Sequence, residues 1–236
     1  MKIFDKNTSF LSKVSKDFFE SDKSIFGRIN APYLLRIFIL KLSIKGVINM
    51  NILYINTCVR KDSRTNVLAQ YALSKLQGEV KEINLNSEKI TPLYQDKLAL
   101  RDDLIKNKNF DHPMFEYAKQ FAKSDTIVFS APYWDLSFPA ILKTYIENIN
   151  VNGITFSYSD KGYPVSLCKA KKLIYITTAG GPIISDEFGF GYIKSLAKNF
   201  YGISDIVYIK AEGLDVYGAN IEDILTKAKK NIEQTL

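Results

Sequence analysis

The chain has 236 residues, of which 46% are hydrophobic and 13% aromatic, enough to bury a large core in one or two domains. Most of its formal net charge of +7 lies before residue 50, where nine Lys/Arg stand against four Asp/Glu; the remainder carries 23 against 21. Residues 50–236 are therefore close to neutral and have no long basic runs, which argues against nucleic acid as a partner.

Apolar runs and cysteines exclude two further classes of protein. The longest early apolar run, residues 33–40, contains Arg36 and is far shorter than the roughly 20 residues of a membrane-spanning helix, so we expect no membrane span. Cys58, Cys168 and His112 provide neither a disulfide framework nor a metal-ligand set. Few cysteines are typical of a protein of the reducing cytoplasm.

Residues 1–49 form an N-terminal extension ahead of the first clear strand. One hypothesis is a misassigned start: Met50 would be the biological first residue, since the codons allowed for Lys45–Asn49 include a sequence like a ribosome-binding site. The alternative is an amphipathic arm over residues 32–44 that packs on the body or on a partner.

From Met50 onward, predicted strands and helices alternate along the chain. The strands are predicted at 51–56, 79–85, 125–130, 173–178 and 205–210, and the helices at 64–77, 113–123, 139–149, 190–201 and 220–235. This alternation predicts an α/β fold with a doubly wound, five-stranded parallel sheet and helices on both faces. We expect one domain, residues 50–236, with an excursion at Gly153–Leu167.

The first loop that could bind a ligand, residues 57–66, joins the first strand to the first helix. It is rich in hydroxyl and basic side chains, and the amides and dipole at a helix N-terminus attract an anion. Ser63 and Thr65 could donate hydrogen bonds to a phosphate. The alternative is that Asp62 or Ser63 only caps the helix.

Two more loops follow later strands. The aromatic loop, Tyr133 to Leu136, comes after a buried strand and precedes a helix that starts near Pro139. A flat ligand could lie against its aromatic rings. The glycine loop, residues 177–182, contains two glycines. They allow close approach of a ligand to backbone donors or simply form a tight turn. Parallel strands place all three loops at one sheet edge, at the switch point where a flavodoxin-like sheet holds FMN.

Four segments carry a family resemblance: NILYINTCVRKDSRTN, APYWDLSFPAILKTYIENINVNGITFSY, YITTAGG and AEGLDVYG. Together they resemble the FMN-dependent NADH:quinone oxidoreductases, or azoreductases, of the flavodoxin-like fold. The resemblance implies that the first loop holds the FMN phosphate and ribityl chain, the aromatic loop borders the isoalloxazine, and the glycine loop faces its pyrimidine side. The implied contacts are Thr57, Cys58, Ser63, Arg64, Thr65, Asn66, Tyr133, Trp134, Asp135, Leu136, Thr178, Ala179, Gly180 and Gly181.

By the same resemblance, the chain is an oxidoreductase that passes hydride from NADH or NADPH through FMN to quinones or azo compounds, in ping-pong order and as a homodimer. It departs from the family at Asp135, where many relatives carry Asn, and at Ala179, where many carry a larger polar residue. No catalytic side chain is assigned. The alternative is a flavodoxin-like electron carrier, although such carriers are typically acidic and this body is near neutral.

Overall fold

The computed structural model describes residues 50–236, so both hypotheses for residues 1–49 lie outside the described residues. In that range it has seven strands and six α-helices. In chain order they are β1 (Asn51–Asn56), α1 (Arg64–Leu73), β2 (Glu79–Asn84), α2 (Gln95–Lys106), α3 (Glu116–Lys123), β3 (Thr126–Ser130), α4 (Ala140–Ile149), β4 (Phe156–Tyr158), β5 (Pro164–Ser166), β6 (Lys172–Thr178), α5 (Tyr192–Asn199), β7 (Asp205–Ala211) and α6 (Ile221–Thr235).

The central sheet has five parallel strands in the order β2-β1-β3-β6-β7. The chain moves outward from β1 to β2 and then returns to β3 on the other side of β1, so the direction of winding reverses between β1 and β3. Asn56 and Ser130 are register partners at the ends of these two strands. The predicted fold class is confirmed, and its switch point lies at this pair.

Alternating side chains of the strands feed two hydrophobic clusters, one on each face of the sheet. On β1, Leu53 and Ile55 join the cluster covered by α2, α3, α4 and α5, while Ile52 and Tyr54 join the cluster covered by α1 and α6. The apolar strands are therefore buried on both sides, as a parallel sheet requires.

The helices differ most from the prediction at the end of α1, at α2 and ahead of α5. Helix α1 ends at Leu73, four residues early, and Gly78 takes φ +147 where a Cβ would clash with the Met50 carbonyl. Helix α2 was not predicted, because only Leu104 of its residues is buried and its apolar pattern is weak. The predicted helix at 190–201 begins as a π-helical turn, Glu187–Gly191, ahead of α5.

The predicted excursion contains a small antiparallel sheet of β4 and β5, with Phe156 paired to Ser166. The Phe156 ring packs edge-on against Phe200 at a centroid distance of 4.9 Å, which ties the excursion to the end of α5. Across residues 50–236, none of the helices combines the length and the apolar character needed to cross a membrane.

Candidate functional site

A cavity of about 220 Å³ lies at the carboxyl edge of the sheet. All three loops that the sequence singled out contribute to it, together with the loop between β7 and α6. Its lining consists of Val59, Arg60, Asp62, Ser63, Arg64, Thr65, Pro132, Tyr133, Trp134, Thr178, Ala179, Gly180 and Asp215. The convergence of loops that are distant in sequence follows from the parallel arrangement of their strands.

The N-terminus of α1 forms one wall of the cavity. Ser63 is the N-cap: its hydroxyl accepts a hydrogen bond from the Asn66 N–H at 3.3 Å, and its carbonyl accepts from the Val67 N–H at 3.0 Å. The capping role considered for Ser63 is therefore confirmed. The N–H groups of Arg64 and Thr65, in the first turn, have no acceptor within the helix and suit an anion in the cavity.

A buried polar network lies beneath this wall. The Tyr54 hydroxyl donates to Asn66 Oδ1 at 2.8 Å and lies 2.8 Å from the Ser130 hydroxyl. Asn56 Oδ1 accepts from the Cys58 N–H at 2.9 Å, and the Cys58 thiol lies 3.5 Å from the Ser130 hydroxyl. Burial raises the pKa of the Cys58 thiol and of the Tyr54 phenol, so both stay protonated near neutral pH.

This network places three of the predicted contacts below the cavity rather than along it. Cys58 and Asn66 direct their side chains into the network. Thr57 is fully buried, and its hydroxyl donates to the Ser130 carbonyl at 2.9 Å. These side chains support the loop of residues 57–66 from underneath.

The aromatic loop is a tight two-residue turn. Trp134 and Ser137 exchange backbone hydrogen bonds of 3.1 and 2.8 Å, and the residues between them, Asp135 and Leu136, have φ values of +48° and +67°. Positive φ at both central positions is the pattern of a type I′ turn, which Asn, Asp and Gly tolerate better than Leu. The turn places Trp134 on the cavity wall with 40% of its surface exposed.

Two hydrogen bonds of Tyr133 hold the residue that precedes this turn. The Tyr133 N–H donates to the Thr178 carbonyl at 3.0 Å, and its hydroxyl donates to the Ser185 carbonyl at 3.2 Å. The aromatic loop is thus joined to both ends of the segment that follows β6. Asp135 and Leu136 lie at the tip of the turn and are not part of the cavity lining.

The glycine loop is held by its carbonyl groups. The N–H groups of Leu214, Asp215 and Gly213 donate to the carbonyl oxygens of Ala179 (3.2 Å), Gly180 (2.8 Å) and Gly181 (3.0 Å), respectively. In a trans peptide the N–H points opposite to the preceding C=O. The N–H groups of Gly180 and Gly181 therefore point away from the β7–α6 loop, which leaves them available as a pair of donors.

Asp215 connects this loop to α1. Arg64 donates to Asp215 Oδ1 at 2.7 Å and to the Leu214 carbonyl at 2.9 Å. A Cβ added at Gly180 would clash with the Asp215 carboxylate, whereas one added at Gly181 would meet nothing within 4 Å. The lack of a side chain at Gly180 therefore leaves space for the Asp215 carboxylate. The Thr65 and Thr178 hydroxyls, 2.6 Å apart, form a second link between the same two loops.

Eight of the fourteen predicted contacts line the cavity: Ser63, Arg64, Thr65, Tyr133, Trp134, Thr178, Ala179 and Gly180. The other six, Thr57, Cys58, Asn66, Asp135, Leu136 and Gly181, do not. Sequence reasoning missed Val59, Arg60, Asp62, Pro132 and Asp215 as lining residues. The available signal for Asp215 was its place in the loop that follows the last predicted strand, at the same sheet edge. For all fourteen residues, contact with a cofactor stays a prediction.

Comparison with known proteins agrees with this architecture. A family model described as flavodoxin-like fold matches residues 50–236. An FMN-dependent NADH:quinone oxidoreductase of Clostridium acetobutylicum is 38% identical over 176 residues, which cover 71% of this chain and 86% of the relative. Its counterpart in Coprothermobacter proteolyticus is 34% identical over 184 residues, covering 74% and 90%.

Solved structures show the same fold. An azoreductase from Bacillus anthracis superposes with a TM-score of 0.69 at 24% identity, covering 78% of this chain and 97% of that one. An FMN-dependent NADH-azoreductase of the same organism, solved with FMN, gives a TM-score of 0.67 at 23% identity, covering 78% and 96%. The sequence matches and the shared fold place this chain in the flavodoxin-like family, together with the FMN-dependent NADH:quinone oxidoreductases.

Proposed function

We propose that this chain is an FMN-dependent oxidoreductase that transfers hydride from NADH or NADPH, through FMN, to quinones or azo compounds. The observation that carries the proposal is the convergence of three kinds of group on one cavity. These are the free amides at the start of α1, the aromatic side chains of Tyr133 and Trp134, and the N–H group of Gly180, with that of Gly181 next to it along the chain.

The chemistry of these groups fits the parts of FMN. A phosphate suits the first-turn amides of α1, the hydroxyls of Ser63 and Thr65, and the nearby Arg60. A flat ring system suits Trp134, whose exposed face lines the cavity. The N–H groups of Gly180 and Gly181 suit the electronegative pyrimidine edge of a flavin.

Bound FMN would supply hydride acceptance from the nicotinamide and electron delivery to the acceptor. The contribution of the protein is positioning and electrostatics. The glycine-loop amides are preorganised donors, since their carbonyl groups are already engaged by the β7–α6 loop. Because the same loops border one cavity, donor and acceptor would use one binding face in succession, as in ping-pong order.

We also propose that the protein acts as a homodimer. Apolar side chains next to the cavity are well exposed: Trp134 and Leu136 at 40% each, and Phe188 at 56%. The Ser137 hydroxyl donates to the Phe188 carbonyl at 2.6 Å, which joins them into one surface. A second copy that covers this surface would shield the flavin ring from water. Light scattering on the holoprotein tests this proposal, and a strictly monomeric species with full turnover would refute it.

The function is tested by titrating the full-length protein with FMN and following the visible flavin band. We expect tight binding, bleaching of the band by NADH without oxygen, and its return on addition of a quinone. Asp205→Asn, at the opposite edge of the sheet, serves as a control that should behave like the wild type. A protein that does not bind FMN would overturn the proposal. FMN binding without NADH oxidation would instead identify an electron carrier.

A further inference from the structure

We propose that Arg64 and Asp215 are positioning residues: their ion pair holds the β7–α6 loop in the place where it orients the amides of Gly180 and Gly181. The pair thereby couples the phosphate end of the cavity to its pyrimidine end. This inference rests on the proposed FMN site, and it assigns to Arg64 a role other than the direct phosphate contact that the family resemblance implies.

The first step is the direction of the glycine-loop amides. Three consecutive carbonyl groups, those of residues 179–181, accept hydrogen bonds from residues 213–215. The carbonyls of Ala179 and Gly180 share their peptide planes with the N–H groups of Gly180 and Gly181, so the position of the β7–α6 loop sets the orientation of these two N–H groups. If that loop shifts, both donors turn with it.

The second step is what holds the β7–α6 loop. The Arg64 guanidinium donates to the Leu214 carbonyl at 2.9 Å and to the Asp215 carboxylate at 2.7 Å. Leu214 is 98% buried and packs in the core between the sheet and α1 and α6. Two bonds from one planar group fix both the distance and the orientation of the loop. With these two donors engaged, the Arg64 guanidinium faces the β7–α6 loop.

The third step is the contact of Asp215 with the glycine loop itself. The Asp215 N–H donates to the Gly180 carbonyl at 2.8 Å, and its carboxylate occupies the space in which a Cβ of residue 180 would stand. One residue thus contacts Arg64 through its side chain and Gly180 through both its backbone and its side chain. Arg64 is the first residue of α1, so a displacement at the phosphate wall is transmitted to the glycine loop.

The experiment separates this role from direct phosphate binding. Dissociation constants for FMN and for riboflavin, which lacks the phosphate, are measured by flavin fluorescence for the full-length wild type, Arg64→Gln, Asp215→Asn and the double variant. We expect each single change to raise both constants by about three- to tenfold, since the pair is partly exposed. The double variant should be no weaker than the single variants, because both remove one shared interaction.

Two further measurements test the inference: the flavin affinity of Gly180→Ala and the reduction potential of bound FMN. Gly180→Ala displaces the Asp215 carboxylate without removing a charge, so it should weaken both flavins as well. The reduction potential of FMN bound to Gly180→Ala should be lower than in the wild type, because misaligned amides stabilise negative charge on the flavin less well. A purely structural role would leave that potential unchanged.

The matched control is Asp205→Asn. Asp205 pairs with Lys172 at 3.2 Å, with side-chain exposures of 55% and 32%, close to the 63% and 29% of Asp215 and Arg64. It should leave flavin binding unchanged. Loss of FMN affinity in Arg64→Gln alone, with riboflavin unaffected, would refute the inference in favour of direct phosphate contact. Additive effects, or tighter binding by Asp215→Asn, would also refute it. A wild type that binds no flavin would instead refute the proposed function.

Discussion

The phosphate-side loop (residues 57–66, which we propose holds the FMN phosphate) and the aromatic loop (residues 133–136) border the same cavity but are held in different ways. The first rests on side-chain hydrogen bonds of the buried Tyr54 hydroxyl, which link it to the buried Ser130 and the half-buried Asn66. The second is held mainly by backbone hydrogen bonds around a turn with two positive φ values, and its tip is exposed. Buried side-chain networks specify one arrangement, whereas an exposed turn can adjust more easily.

This difference suits a site that keeps one cofactor bound while an electron donor and an electron acceptor alternate. A cofactor that stays bound needs a wall of fixed amides, which the capped start of α1 provides. A donor and an acceptor that alternate need a surface that tolerates different shapes, which the exposed Trp134 offers. The predictions below test whether the two loops differ in this way.

The largest effect is expected from Tyr54→Phe. The change removes both hydrogen bonds of the buried Tyr54 hydroxyl, one to the buried Ser130 and one to the half-buried Asn66, at a cost of about 1–3 kcal/mol in the free energy of unfolding. Denaturant unfolding measures it. The control is Tyr71→Phe, which removes a hydrogen bond to the exposed Glu233 and should cost below about 1 kcal/mol. Equal losses would show that the buried network is not what stabilises the phosphate-side loop.

A functional effect of similar size is expected from Trp134→Ala. Loss of aromatic contact should raise the KM for the quinone by about three- to tenfold, while the dissociation constant for FMN changes less. Steady-state kinetics and flavin titration on the same preparation provide both numbers. Val59→Ala, on the phosphate side of the cavity and 47% exposed, is the control and should leave the KM unchanged. A loss confined to FMN binding would reverse the assignment of the two loops.

A smaller effect on the free energy of unfolding is expected from replacing leucine by glycine. Its sign should differ between two sites. At Leu136, with φ +67°, glycine removes backbone strain and should stabilise the protein by about 0.5–1 kcal/mol. At Leu98, 37% exposed within α2, the same change should destabilise by about 1 kcal/mol. Thermal and denaturant unfolding distinguish the signs. Destabilisation at both sites would show that the Leu136 side chain contributes more than its strained backbone loses.

The smallest effect concerns alkaline pH. Burial raises the pKa of the Cys58 thiol above its ordinary value of 9.0, so the folded state holds this proton longer than the unfolded state. Its contribution to stability is complete below pH 9 and is lost as the pH rises further, with a slope of at most about 1.4 kcal/mol per pH unit. Cys58→Ala should lose less stability above pH 9 than the wild type. Parallel pH profiles would contradict the assigned burial.

Sequence reasoning succeeded where a pattern is local. The apolar runs of β1, β3 and β6 identified buried parallel strands, and the sheet edge to which their loops belong followed from the topology rule. It failed for α2, whose face is almost entirely exposed, since a helix with little apolar periodicity leaves no such signal. It also placed the end of α1 too late, because the chain leaves the helix before Gly78.

The sequence by itself determined the order of strands and helices and three of the four loops that meet at the cavity, because hydrophobic periodicity and parallel winding are encoded along the chain. Only the tertiary structure decided which way individual side chains turn. Thr57 and Cys58 face the interior, and Arg64 pairs with a carboxylate 151 residues away. Such contacts depend on how separate loops pack against one another, a property that no local pattern of residues contains.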